Sequence, residues 1–204
     1  MAVLVSDPWM EQRLHVERHA LGADRYDEVW EGTYHMTPMP DDEHQEIVSR
    51  WTSILELTIG WPGLGKVRPG VNVSDREENW QFNYRVPDVA VFLDGGRARN
   101  CGTHWCGGPD FLVEVLSRLD SVRDKWPFYA AIGVREILLI NREPWELEIW
   151  RPRDYELQLA AHASLEKTDA IECSVLPLQL RIVAGVPRPR IEVTCKTSGQ
   201  SWLV

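Results

Sequence analysis

Two acidic residues in this chain stand where apolar strands rarely tolerate a charge. Asp88 opens the run Val89–Leu93, and Glu114 sits in the middle of Phe111-Leu-Val-Glu-Val-Leu116. A carboxylate in such a place is paired or holds a metal, because an unpartnered buried charge is costly. If the two strands are neighbours, both carboxylates project from one sheet edge. Two hard oxygen ligands there are what Mg²⁺ or Mn²⁺ takes, with waters and a substrate phosphate completing the shell. The plainer alternative is that Asp88 caps a turn and Glu114 pairs with an arginine such as Arg85 or Arg118.

Lys125 adds a third group. It follows Glu114 by eleven residues, on a predicted helix that a short loop joins to the Glu114 strand. From there a lysine can reach back to the strand's end, orient or deprotonate an attacking water, and stabilise charge developing on phosphorus. A solvated surface lysine is the ordinary alternative, although the chain has lysine only at 66, 125, 167 and 196. A second candidate is Cys101-x2-His104-x-Cys106, three possible zinc ligands in a glycine-rich loop. Structural zinc sites draw pairs from two places, and no second pair is present, so these residues read as loop, with His104 and Trp105 near a substrate cleft. There is no Gly-rich nucleotide loop, no Gly-x-Ser-x-Gly and no His-Glu-x-x-His.

The elements that must position these groups follow from periodicity. An arm over residues 1–25 carries a helical pattern around Pro8–His19, and Tyr26–Met36 is extended with a turn at Gly32. Asp41 and Asp42 can cap a helix over residues 42–59, where Ile47, Trp51, Ile54 and Leu55 recur at helical spacing. Strands are predicted at Val67–Val73, Val86–Leu93, Phe111–Leu116 and Glu136–Asn141, with Glu146–Trp150 paired to the last through the Asn141–Trp145 turn. Residues 94–109 read as a loop and 120–132 as a helix ended by Gly133. Residues 155–193 are β-rich. The unit strand–helix–strand across 111–141 predicts a right-handed crossover and an α/β architecture.

The chain has 204 residues and a net charge of −9, from 31 acidic and 22 basic residues. That balance counts against a dedicated high-affinity DNA binder, which shows a basic patch. It is compatible with an acidic enzyme that holds a phosphate through a metal ion. No apolar run approaches the ~18 residues of a membrane span, and Val3–Val5 is too short for the core of a secretory signal. The four cysteines then read as thiols, and a soluble, cytoplasmic protein is expected. No internal repeat, low-complexity tract or linker is found.

This constellation resembles the PD-(D/E)xK nuclease superfamily, whose active site is Asp followed by Glu-x-Lys on the next strand. Pro-Asp occurs at 40–41, 87–88 and 109–110, but only Pro87-Asp88 heads a buried strand with a second acidic strand 26 residues on. No Asp/Glu-x-Lys triplet exists, and Leu116 stands where the lysine belongs on Glu114's face. Asn83-Tyr-Arg-Val-Pro-Asp-Val-Ala-Val91, Gly107-Gly-Pro-Asp-Phe-Leu-Val-Glu-Val-Leu-Ser117 and Asp120-Ser-Val-Arg-Asp-Lys-Trp-Pro-Phe-Tyr129 look like the Uma-two family of restriction-endonuclease-type proteins. In that family the lysine has moved to the following helix, and Lys125 matches it. Trp30-Glu-Gly-Thr-Tyr-His-Met-Thr-Pro38 and Glu43-His-Gln45 also fit.

The resemblance implies a restriction-endonuclease-like mixed sheet flanked by helices, with a β-rich C-terminal part. It divides the chain into the arm 1–25, a nuclease-like domain 26–187 and a C-terminal extension 188–204. It implies Mg²⁺ (or Mn²⁺) at Asp88 and Glu114, assisted by the Val115 carbonyl, with Lys125 acting on the water and DNA as substrate. The Lys125 ammonium should then lie within hydrogen-bonding reach of Glu114, or one water away. Glu31 and Glu46 are candidates for the extra acid that such nucleases bring from N-terminal elements. Asp120 is an N-cap or a further ligand, and Ser117 bonds local backbone. A homodimer is expected from the family. Trp145 and Trp150, read with Trp51 as core or contact residues, leave aromatic surface for a second copy to cover. The alternative, from another class, is a nuclease fold serving as a binding or assembly module without cleavage.

Overall fold

The computed structural model describes residues 3–4, 8–116 and 122–204. Ser117, Arg118 and Asp120 lie outside the described residues. Six strands make the central sheet, in the spatial order Glu156–Ser164, Trp145–Arg153, Glu136–Arg142, Phe111–Val115, Val89–Leu93 and Gly65–Pro69. Neighbours run antiparallel, except that Phe111–Val115 lies parallel to Glu136–Arg142. A parallel pair requires a crossover, and the helical segment 122–131 supplies it.

Alternation along the Glu114 strand sorts its side chains onto two faces. Phe111, Val113 and Val115 enter the main core with Ile47, Trp51 and Leu55 of helix Asp42–Leu55. Leu112 packs with Trp126, Tyr129, Ile137 and Leu139 on the opposite face, and Glu114 shares that face with Leu112. The strand is buried along its whole length, as expected of a strand covered on both sides. Helix Asp42–Leu55 starts at Asp41, whose side chain accepts the His44 N–H at 2.8 Å, and ends in the π-helical turn Glu56–Gly60. Together the two parts fill the span that periodicity predicts.

Two further sheets, of seven and four strands, complete the fold. In the N-terminal sheet, Glu28–Trp30 pairs with Thr33–Met36, and Val29 meets Tyr84 on the short strand that leads to Asp88. In the C-terminal sheet, Leu178–Val183 pairs with Arg190–Cys195, which pairs with Ser201–Leu203. Segment 188–204, set apart by sequence as an extension, thus supplies two of four strands, and Val204 is fully buried in the main core.

Three predicted elements differ in detail. The strand expected over Val67–Val73 breaks at Gly70, whose φ of +58° turns the chain. The loop 94–109 contains a small hairpin, Arg99–Asn100 with Trp105–Cys106. The helix expected over 120–132 is a 3-10 turn, Val122–Lys125, followed by helix Trp126–Ala131. Pro127 has no N–H to give an earlier turn, so it begins a new one. Trp145 and Trp150 are partly buried against their own chain. Trp145 packs on the main core under Arg188, 5.0 Å from its ring, and Trp150 meets Trp126 edge-on at 5.8 Å. Each tryptophan thus keeps part of its surface exposed. Among the described residues, no helix is long and apolar enough to cross a membrane.

Candidate active site

The geometry at the Asp88 end of the sheet begins with a proline. In the register that pairs Val113 with Val89, Pro87 falls opposite Val115. Leu116 donates its N–H to Ile140 O at 2.8 Å, so alternation turns the N–H and carbonyl of Val115 the other way, toward Pro87. Pro87 has no N–H to offer that carbonyl. The Val115 N–H is instead taken by Asp88 Oδ2 at 2.7 Å. The Pro-Asp pair therefore ends one ladder, ties the two strands together through a side chain, and leaves the Val115 carbonyl beside a carboxylate.

Glu114 and Lys125 meet on the next strand. The Lys125 ammonium is 3.4 Å from Glu114 Oε1 and 2.8 Å from Glu28 Oε1. Tyr129, one helical turn after Lys125, donates its hydroxyl to Glu114 Oε1 at 2.6 Å. Glu28 also accepts the Val86 N–H and the Trp30 indole N–H, at 2.8 and 2.7 Å. On the other side of the sheet end, His44 Nε2 lies 3.2 Å from Asp88 Oδ2.

Burial sets the charges. It pushes the Glu114 carboxyl above the usual range; the Asp88 and Glu28 charges add to this, and Lys125 and Tyr129 oppose it. For Lys125, burial works against the charge, but Glu114 and Glu28 outweigh it, and the ammonium is held more firmly than usual. Burial likewise opposes a charge on His44, and Asp88 outweighs it, so the His44 pKa rises. Arg85 is nearly fully buried between the rings of Trp30 and Phe128, 4.5 and 4.2 Å away, and burial lowers its pKa.

The structure brings together Asp88, Glu114, Val115 and Lys125. It does not gather Glu31 or Glu46 with them. Glu31 sits exposed at a turn, with φ of 49°. Glu46 is bonded to Arg50 at 2.9 Å and Arg188 at 3.0 Å. The N-terminal acid at the cluster is Glu28, three residues before Glu31. Glu28, His44 and Tyr129 were missed by the sequence reading. Tyr129 had a signal in its i,i+4 spacing from Lys125, and Glu28 had one in sharing a strand face with Trp30. The loop candidates are engaged elsewhere: His104 stacks on Trp80 at 4.9 Å and reaches Arg76 O at 3.0 Å, and Trp105 stacks on Phe92 in a small core.

Among the described residues, no three His, Cys, Asp or Glu side chains form a group that could hold a metal. The donor set at the sheet end is two carboxylates and a backbone carbonyl, all hard oxygens. That set fits Mg²⁺, which keeps several waters and takes one or two carboxylates plus substrate phosphate.

A family profile described as "Putative restriction endonuclease" (Uma2) matches residues 15–184. The fold is similar to a crystal structure from Anabaena variabilis described as "a putative nuclease belonging to DUF820". The two chains are 21% identical with a TM-score of 0.53, over 65% of this chain and 75% of that one. No curated protein matches the chain.

Proposed function

Because the chain belongs to the Uma2 restriction-endonuclease family, we propose that it is a Mg²⁺- or Mn²⁺-dependent endonuclease that hydrolyses phosphodiester bonds in DNA. The observation that carries this reading is the Lys125 ammonium 3.4 Å from Glu114, on a sheet end that also presents Asp88. Asp88, Glu114 and the Val115 carbonyl would hold the cation. When bound, it would polarise the phosphodiester and lower the pKa of an attacking water. Lys125 is kept as an ammonium by Glu28 and Glu114, so its part is to donate. It orients the water and stabilises negative charge developing on phosphorus, and it does not remove a proton. A homodimer would place two such sites on one duplex, as two-strand cleavage requires.

Supercoiled plasmid incubated with Mg²⁺ or Mn²⁺ tests the reading. Wild type should nick it and Asp88→Ala should not; equal cleavage by both would identify a contaminant. Lys125→Gln should lose cleavage while still binding Mn²⁺, and light scattering should give twice the chain mass. The module reading is motivated by the net charge of −9 and by the lysine displaced from the Glu114 strand. A Mn²⁺ titration that finds no Glu114-dependent site decides for it.

A further inference from the structure

Glu114 and Asp88 are each gripped at the sheet end by one of their two oxygens. Tyr129 O–H, at 2.6 Å, and Lys125 Nζ, at 3.4 Å, both meet Glu114 at Oε1. Val115 N–H, at 2.7 Å, and His44 Nε2, at 3.2 Å, both meet Asp88 at Oδ2. Among the described residues, Glu114 Oε2 and Asp88 Oδ1 have no hydrogen-bond partner. The gripping side chains come from opposite layers: Tyr129 from the crossover helix, and His44 from helix Asp42–Leu55.

Neither side chain needs its polar group for packing. Tyr129 is fully buried, and a buried hydroxyl is costly unless bonded, so a phenylalanine would pack there without that cost. The His44 side chain is 8% exposed and its Nδ1 is buried with no partner, so its polar contact is the one on Asp88. His44 Nε2 and Asp88 Oδ2 lie at ion-pair distance, 3.2 Å.

We propose that Tyr129 and His44 are positioning residues, each occupying one oxygen of a carboxylate so that the other is turned toward a divalent cation. The inference rests on the nuclease reading above. Donors behind ligating carboxylates fix their rotation, and losing one typically costs about 10–100-fold in metal affinity.

Mn²⁺ affinity measured by calorimetry tests this without relying on cleavage, with a thermal melt confirming that each variant is folded. Tyr129→Phe keeps the ring and should bind Mn²⁺ about 10-fold more weakly, as should His44→Leu. His44→Gln restores an N–H donor and should recover most of that loss. Wild-type affinity in Tyr129→Phe or in His44→Leu overturns the role of that residue. A loss in His44→Gln equal to that in His44→Leu overturns the donor role of His44. If His44→Leu does not fold, the Tyr129→Phe and His44→Gln arms still decide. Wild type that binds no Mn²⁺, or Asp88→Asn that binds it normally, overturns the nuclease reading instead.

Discussion

Three carboxylates, Asp88, Glu114 and Glu28, converge around one firmly held ammonium, Lys125, with His44 beside Asp88. Burial is what lifts the Glu114 pKa; the Asp88 and Glu28 charges add to it, and Lys125 and Tyr129 oppose it. A carboxyl whose pKa is higher in the folded state than in the unfolded one stabilises the fold when protonated. That contribution is full at acid pH and is lost as pH rises through the raised value. Glu114→Gln keeps a hydrogen-bond partner for Tyr129 and removes the charge. It should therefore stabilise the fold at neutral pH by on the order of 1 kcal/mol, the equivalent of one pKa unit, while abolishing cleavage. Denaturant melts of both proteins check this in neutral and mildly acidic buffer. The advantage of the variant should shrink in acid, and a less stable Glu114→Gln at neutral pH would contradict the argument.

At the level of elements, the site is made by where strands stop. Val89–Leu93 begins one residue after Asp88, while its neighbour Phe111–Val115 runs on to the level of Pro87. Pro87 cannot donate to Val115, so that carbonyl is left at the sheet end with the carboxylates. Pro87→Ala restores an N–H at this position and lets the ladder close by one bond. The closure should be neutral or stabilising by about 1 kcal/mol, the net worth of one hydrogen bond. Mn²⁺ affinity should fall severalfold, because the carbonyl is then occupied. A calorimetric titration showing unchanged Mn²⁺ binding in a folded Pro87→Ala would remove Val115 from the ligand set.

For the whole molecule, the last residues of the chain close both the C-terminal sheet and the main core. Arg190–Cys195 and Ser201–Leu203 complete the C-terminal sheet, whose Ile191, Val193 and Val204 belong to the same core as Trp51 and Val113. That core backs the Glu114 strand from the face opposite Lys125 and Tyr129. Removing residues 188–204 would expose Leu178, Leu180 and Ile182, all buried in the intact protein. Burial of each such side chain is worth roughly 1.5–3 kcal/mol, against a total stability of about 5–15. The truncated chain should thus lose its cooperative melt and aggregate, as circular dichroism and size-exclusion chromatography would show. A truncated chain that melts cooperatively at the wild-type temperature would mark the segment as a true extension.

Much of this was legible in the sequence, because it depends on local order. Apolar runs bounded by turn residues mark the Asp88 and Glu114 strands, and a single acid inside such a run announces itself wherever the strand ends up. The spacing from Glu114 to Lys125 likewise places the lysine on a connection that must fold back over its own strand. What meets those residues from elsewhere is not local. Glu28 reaches Lys125 because Val29 pairs with Tyr84, a contact across more than fifty residues. Helix Asp42–Leu55 was predicted, but Glu46 and not His44 was chosen from it. The two are two residues apart, about 200° around a helix of 3.6 residues per turn. One therefore faces Asp88 while the other faces Arg188 and Arg50. Which side of the helix meets the sheet is decided by how Ile47, Trp51 and Leu55 dock on strands from distant parts of the chain.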